Sequence, residues 1–266
     1  MSDAVLRIFS YLPNPRVWKA LIAADLCNVT VDVVGDKPGN LQTWLWDFDA
    51  RPLGEDEHSA DNPNARLSRR GFSGTLYKTD EFLNTQPFGT VPAAFSPSGD
   101  TGIFESNSIL RAVARAGGDN CQLYGDDIYQ ASRIDSFLDA NLVFAREAQV
   151  YLLALNAISE DVHERMAAAY EFYLSGIEMA LSKGPFLVGK TISIADISFV
   201  CDFAQFLREG HYLEQLKGAG LPLISEQGRE MYPCAFGHML DLSSQEAFAR
   251  HLGSYLNWYR KKIGQL

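Results

Sequence analysis

The sequence predicts an α+β domain followed by an all-helical one. Two observations carry this: the strand-like segments all fall before residue 120, and after Asp127 the apolar residues recur only at helical spacing. With 266 residues, 47% of them apolar, the chain can bury a substantial core. A formal charge of −10 argues against nucleic acid or an anionic membrane surface as partner. No apolar run approaches the ~18 residues of a membrane span. The opening "MSDAVLRIF" lacks the pattern of a secretory signal, so a cytoplasmic protein is expected. Cys27, Cys121, Cys201 and Cys234 are widely separated and form no C-x-x-C pair. Buried free thiols are therefore expected, with no disulfide framework and no metal site.

Residues 5–34 read as strand, helix, strand. "LRIF" is short and apolar, "RVWKALIAADL" sets Val17, Ala20, Leu21 and Ala24 on one helical face, and "VTVDVV" alternates. From about 36 to 75 the chain turns polar, rich in Gly, Pro, Asp and Arg, without a sustained period, which predicts a lid or an ordered insertion. Within it "LQTWLWDF" is read as a short helix. "TDEFLNTQP" then predicts a short capped helix, and "VPAAF" and "GIF" predict two antiparallel strands joined by "SPSGDT". A helix follows with Ile109, Leu110, Val113 and Ala114 inward, ended by Gly117-Gly118. Beyond Asp127, two long helices are marked by Ile134, Phe137, Leu138, Asn141 and Ala145, then by Met166, Tyr170, Tyr173, Leu174, Ile177 and Leu181. Breaks fall near Gly218–Pro222 and at Tyr232-Pro233.

Three places could carry chemistry, and each has an ordinary structural reading beside it. Pro92 at the head of a strand, after Gly-Thr-Val, suits a cis bond, and such a bend turns the N–H and C=O of Val91 outward to meet an extended peptide. A turn proline would look the same. Glu105-Ser106 opens a helix, where the amides and the Ser106 hydroxyl suit a carboxylate and Glu105 suits an amine, so one zwitterionic head group satisfies both. An ordinary N-cap also accounts for the pair. Asn14-Pro15 reads as a cap with proline at the first helical position, aiming an amide and a helix dipole at one point. A thiol near pKa ~8.5 must fall about two units to ionise at neutral pH, roughly 2.7 kcal/mol. One hydrogen bond to the charged form and the dipole supply about that much. Ser10 or Tyr11 could do the same through a hydroxyl. "TISIAD" adds a capping box, Ser193 with Asp196, and an Ile192–Ile197 staple, both structural.

Together, Gly89, Val91-Pro92, the hairpin, "FESNSIL" and the later "FLVGKTISIADI" resemble the cytosolic glutathione transferases over nearly the whole chain. "NPRVWKALIAA" and "TDEFLNTQPFGTVPAAF" are similar to the glutathione-transferase-like domain of elongation factor 1 gamma and to related microbial, Nu-like members. The resemblance implies a thioredoxin-like, glutathione-binding domain over 1–120, with the insertion at about 36–75, and an all-α domain over 127–266. It further implies a cytoplasmic homodimer engaged in detoxification. Glutathione would be co-substrate and a small hydrophobic electrophile the partner, with conjugation, reduction, lyase or dehalogenase chemistry all open.

By the same resemblance, Val91 and Pro92 pair with the cysteinyl part of glutathione, and Glu105 and Ser106 hold its γ-glutamyl head. Asn14 falls where many classes carry the activating Ser or Cys, with Ser10 and Tyr11 as alternatives. Thr90 stands in the glutathione-binding set where a basic residue often meets the glycyl carboxylate. That contact is then expected from Lys78 or from "RLSRR" at 66–70. Trp44, Trp46, Phe48 and Phe137 are candidates for an apolar lining. The alternative function is a non-catalytic protein-interaction module of the elongation factor 1 gamma type.

Overall fold

The computed structural model of the chain describes residues 3–59, 61–68, 72, 74–118, 121–226 and 228–264. It divides into two compact units, Met1–Gly117 and Gly118–Leu266.

In the first unit, β1 (Leu6–Tyr11), α1 (Pro15–Cys27) and β2 (Val31–Asp36) form the expected opening, with β1 and β2 parallel. After the insertion come α2 (Asp80–Thr85), β7 (Ala93–Phe95), β8 (Gly102–Phe104) and α3 (Ser106–Ala116). The main sheet has the order β2-β1-β7-β8, and β7 is antiparallel to both neighbours. The β7–β8 turn needs a residue at positive φ, supplied by Gly99 at +82°. Ile109, Leu110, Val113 and Ala114 are all buried, as the period of α3 predicts, and α3 packs against α1. In α1, Val17, Ala20 and Ala24 are buried as predicted and Leu21 is only half-buried, while Trp18, Lys19, Ile22 and Ala23, outside the predicted stripe, are buried.

The described residues of the insertion build a second sheet, order β4-β3-β6-β5, from β3 (Trp44–Trp46), β4 (Arg51–Pro52), β5 (Ala65–Leu67) and β6 (Thr75–Lys78). This corrects the helix read over "LQTWLWDF": Pro38–Thr43 is a 3-10 turn and Trp44–Trp46 is strand. A bulky indole on alternate positions suits a pleated surface, and three residues are too few to declare a period. Trp44 and Trp46 join Phe9, Phe82 and Phe95 in one core cluster between the sheets, with Tyr11, Val34, Phe48 and Val91 packed against it. Side chains alternate along a strand, so Phe9 and Tyr11 face this cluster while Ile8 and Ser10 face the other way.

The second unit is helical: α4 (Ile128–Ala154), α5 (Glu160–Leu181), α6 (Ile194–Phe206), α7 (Leu213–Gly218), α8 (Gly228–Met231), α9 (Pro233–Ser243) and α10 (Glu246–Lys262). Its core is aromatic. Phe199, Phe203 and Phe206 follow one another along α6 in near-parallel pairs, and Phe144, Tyr170 and Phe236 close around them. The predicted capping box is present: Asp196, fully buried, accepts from the Ser193 N–H at 2.9 Å and its hydroxyl at 2.8 Å. Among the described residues no helix is long and apolar enough to cross a membrane.

The cysteine expectation is corrected in part. Cys201 and Cys234 are free thiols, but Cys27 and Cys121 are disulfide-bonded. Bonding depends on the approach of two Cβ atoms in space, which sequence spacing alone does not reveal.

Candidate functional site

The register of the main sheet brings the predicted residues to one end of it. Phe9 pairs with Ala93, and Ala93 with Phe104. Both pairings stop two residues after Val91, at the end of the sheet where Tyr11 closes β1 and Ser106 opens α3, and Tyr11 and Val91 pack against the same core cluster. The Val91–Pro92 bond is cis, as expected from the sequence. Among the described residues the N–H and C=O of Val91 make no hydrogen bond. Two residues earlier, the half-buried Lys78 donates from Nζ to the Gly89 carbonyl at 2.7 Å and lies over the Trp46 ring, 4.6 Å from its centroid. Burial pushes the Lys78 ammonium below its ordinary pKa, and a nearby carboxylate would shift it back up.

The mouth of α3 is unusual in its backbone. Glu105 sits at φ +66° and ψ 125°, a conformation that costs a non-glycine residue about 1–3 kcal/mol. Its carbonyl accepts from the Ser108 and Ile109 N–H groups, while its side chain is exposed. Ser106, 6% exposed, leaves its own N–H at the first position of an eleven-residue helix. Below it, the Lys19 Nζ approaches the Ser106 Oγ at 3.4 Å and the Asn107 Oδ1 at 2.9 Å.

Asn14 caps α1. Its Oδ1 accepts from the Arg16 N–H at 3.0 Å, its Nδ2 donates to the Ser10 Oγ at 3.1 Å, and its carbonyl accepts from Val17 and Trp18. Pro15 has no N–H, so the first turn of α1 has no donor left over, and only the dipole remains for an anion. Asn14 and Ser10 are both fully buried, whereas Tyr11 is partly exposed on the Val91 side of the sheet. Replacing Asn14 with alanine is expected to destabilise the protein by about 1 kcal/mol, the usual worth of an N-cap, as read from denaturant midpoints.

The other predicted residues separate. Thr90 is exposed, and Pro92 is buried at the sheet end. Of "RLSRR", Arg66 is engaged by Asp80 and by the Pro63 and Ala65 carbonyls, while Arg69 and Arg70 lie outside the described residues. Trp44 and Trp46 are core, Phe48 packs edge-on against Phe95, and Phe137 lies under Arg133 in an open groove between α4 and α5. Lys19 was not foreseen, since a helical lysine ordinarily reads as solvent-facing. Its signal was there: it is the single charge within the apolar run "VWKALIAA".

No family model matches the chain. The glutathione S-transferase-like protein FUS3 of Gibberella moniliformis (strain M3125 / FGSC 7600) is 24% identical over 264 residues, 97% of this chain and 96% of that protein. Elongation factor 1-gamma 2 of Oryza sativa subsp. japonica is 32% identical over 136 residues, 48% of this chain. The match covers 31% of that protein, and a match to probable elongation factor 1-gamma 1 of Arabidopsis thaliana covers 40% of it, so the chain spans less than half their length. Among solved structures, the glutathione transferase URE2P8 from Phanerochaete chrysosporium with oxidized glutathione superposes with a TM-score of 0.66 at 15% identity, over 100% of this chain and 99% of that one. The chain therefore has the glutathione transferase fold, and its sequence is similar to a glutathione S-transferase-like protein and to elongation factor 1-gamma proteins.

Proposed function

We propose that the chain is a glutathione transferase that binds glutathione across the end of its main sheet, ionises the thiol and directs it at a hydrophobic electrophile. The observation that carries this reading is the main chain of Val91, which makes no hydrogen bond among the described residues beside its cis bond to Pro92, at the same end of the main sheet as the start of α3. The unpaired main chain of Val91 takes the cysteinyl residue as an added strand. The Ser106 N–H and hydroxyl take the γ-glutamyl carboxylate at the positive end of α3, and Glu105 takes the ammonium. Lys78 replaces the basic residue missing at Thr90 and meets the glycyl carboxylate from Gly89. The thiolate then forms its bond to carbon as the leaving group departs with the electron pair, or attacks a disulfide sulfur and expels a thiolate. By likeness to the superfamily, the enzyme is a cytoplasmic homodimer.

For activation of the thiol, exposure favours Tyr11. Asn14 and Ser10 are enclosed and bonded to each other, so they shape the β1–α1 turn, while the Tyr11 ring stands on the same side as Val91. Tyr11→Phe is expected to lower kcat at least tenfold with aryl halide, epoxide or disulfide substrates, about 1.4 kcal/mol or more of transition-state stabilisation. Glutathione affinity by calorimetry should stay within twofold. Failure of the wild-type chain to bind millimolar glutathione would end this reading. The elongation factor 1-gamma relatives favour a second one, a protein-interaction module, and binding without turnover on any of these substrates would select it.

A further inference from the structure

Lys19 is 1% exposed in the middle of α1, a position where charge is costly, and the reaction proposed above leaves it without a task. It reaches across to the start of α3, to Ser106 and Asn107. We propose that Lys19 is a positioning residue for the γ-glutamyl subsite: by donating to the Ser106 oxygen it turns the Ser106 hydroxyl hydrogen outward, toward the α-carboxylate of glutathione. The inference rests on the glutathione reading of that helix mouth.

An ammonium has three donors and no acceptor, so in the Lys19–Ser106 contact the serine oxygen can only accept. The described residues offer the serine's own hydrogen no acceptor, and it is left to a ligand. A hydroxyl that accepts from a cation is also polarised into a stronger donor, and a low-dielectric setting sharpens both effects. Asn107, held by the same ammonium at 2.9 Å, keeps Lys19 at the first turn of α3 rather than further along the helix. The ligand group selected is a carboxylate, the class of acceptor that takes an N–H and an O–H side by side.

A merely structural tie between α1 and α3 would affect every ligand alike, and the test separates the two roles. Glutathione and γ-aminobutyryl-cysteinylglycine, the same tripeptide without the α-carboxylate, are titrated by calorimetry into the wild type, Lys19→Met and Lys19→Arg. The wild type should prefer glutathione at least tenfold. In Lys19→Met that preference should fall below threefold, through loss of glutathione affinity alone, while Lys19→Arg, which keeps charge and donors, should retain it. Should Lys19→Met fail to fold, Lys19→Gln takes its place and the preference is expected to drop at least threefold. Equal weakening of both ligands, or an unchanged preference, overturns the role of Lys19 and leaves the glutathione reading standing. A wild type that binds neither tripeptide overturns both.

Discussion

Ser106→Ala is expected to weaken glutathione binding by about 10- to 100-fold. A hydrogen bond to a charged group is worth about 1.5–3 kcal/mol, and each 1.4 kcal/mol is a factor of ten. The substitution keeps the Cβ and the N–H of the first helical residue and leaves Ile109, Leu110 and Val113 in the core, so α3 should hold its place. Calorimetry of the folded variant reads the effect directly. A loss below twofold would take the carboxylate away from this helix.

The largest effect on stability is expected from Asp196→Ala. The Asp196 carboxylate is fully buried and accepts from four donors: the Ser193 N–H and hydroxyl, the Leu187 N–H at 2.9 Å and the His238 Nε2 at 2.9 Å. Alanine leaves two buried backbone donors and a buried imidazole without partners. Each orphaned group costs about 1–3 kcal/mol, so a loss of about 3–5 kcal/mol is expected, a large share of a domain's net stability. The shift in denaturant midpoint of the second unit measures it. A change under 1 kcal/mol would mean that water or a rotated side chain satisfies those donors.

The two-part architecture was readable because its signals are long or chemically distinctive. α5 buries every residue its period selects, Thr79 caps its helix through a side-chain oxygen, and Gly99 sits where the hairpin needs it. The second sheet was not readable, because β3, β4 and β5 have two or three residues each and its order β4-β3-β6-β5 depends on partners far along the chain. Of the candidate site, Val91 and the Glu105-Ser106 step were legible as local grammar of a strand start and a helix start. The separation of Tyr11 from Ser10 was not, since it depends on which face of β1 the aromatic cluster covers. Lys19 escaped for a related reason. Its burial comes from α3 packing on α1, and nothing within α1 itself dictates that contact.

The two neighbouring hydroxyls at the close of β1 belong to different compartments. One is sealed inside with an asparagine, and the other stands toward the indole layer that the insertion supplies. Because the strand repeats every two positions, sliding its last residues by a single step would exchange them. The length of β1 thus decides which of the two hydroxyls stands beside the aromatic layer and which is enclosed with Asn14.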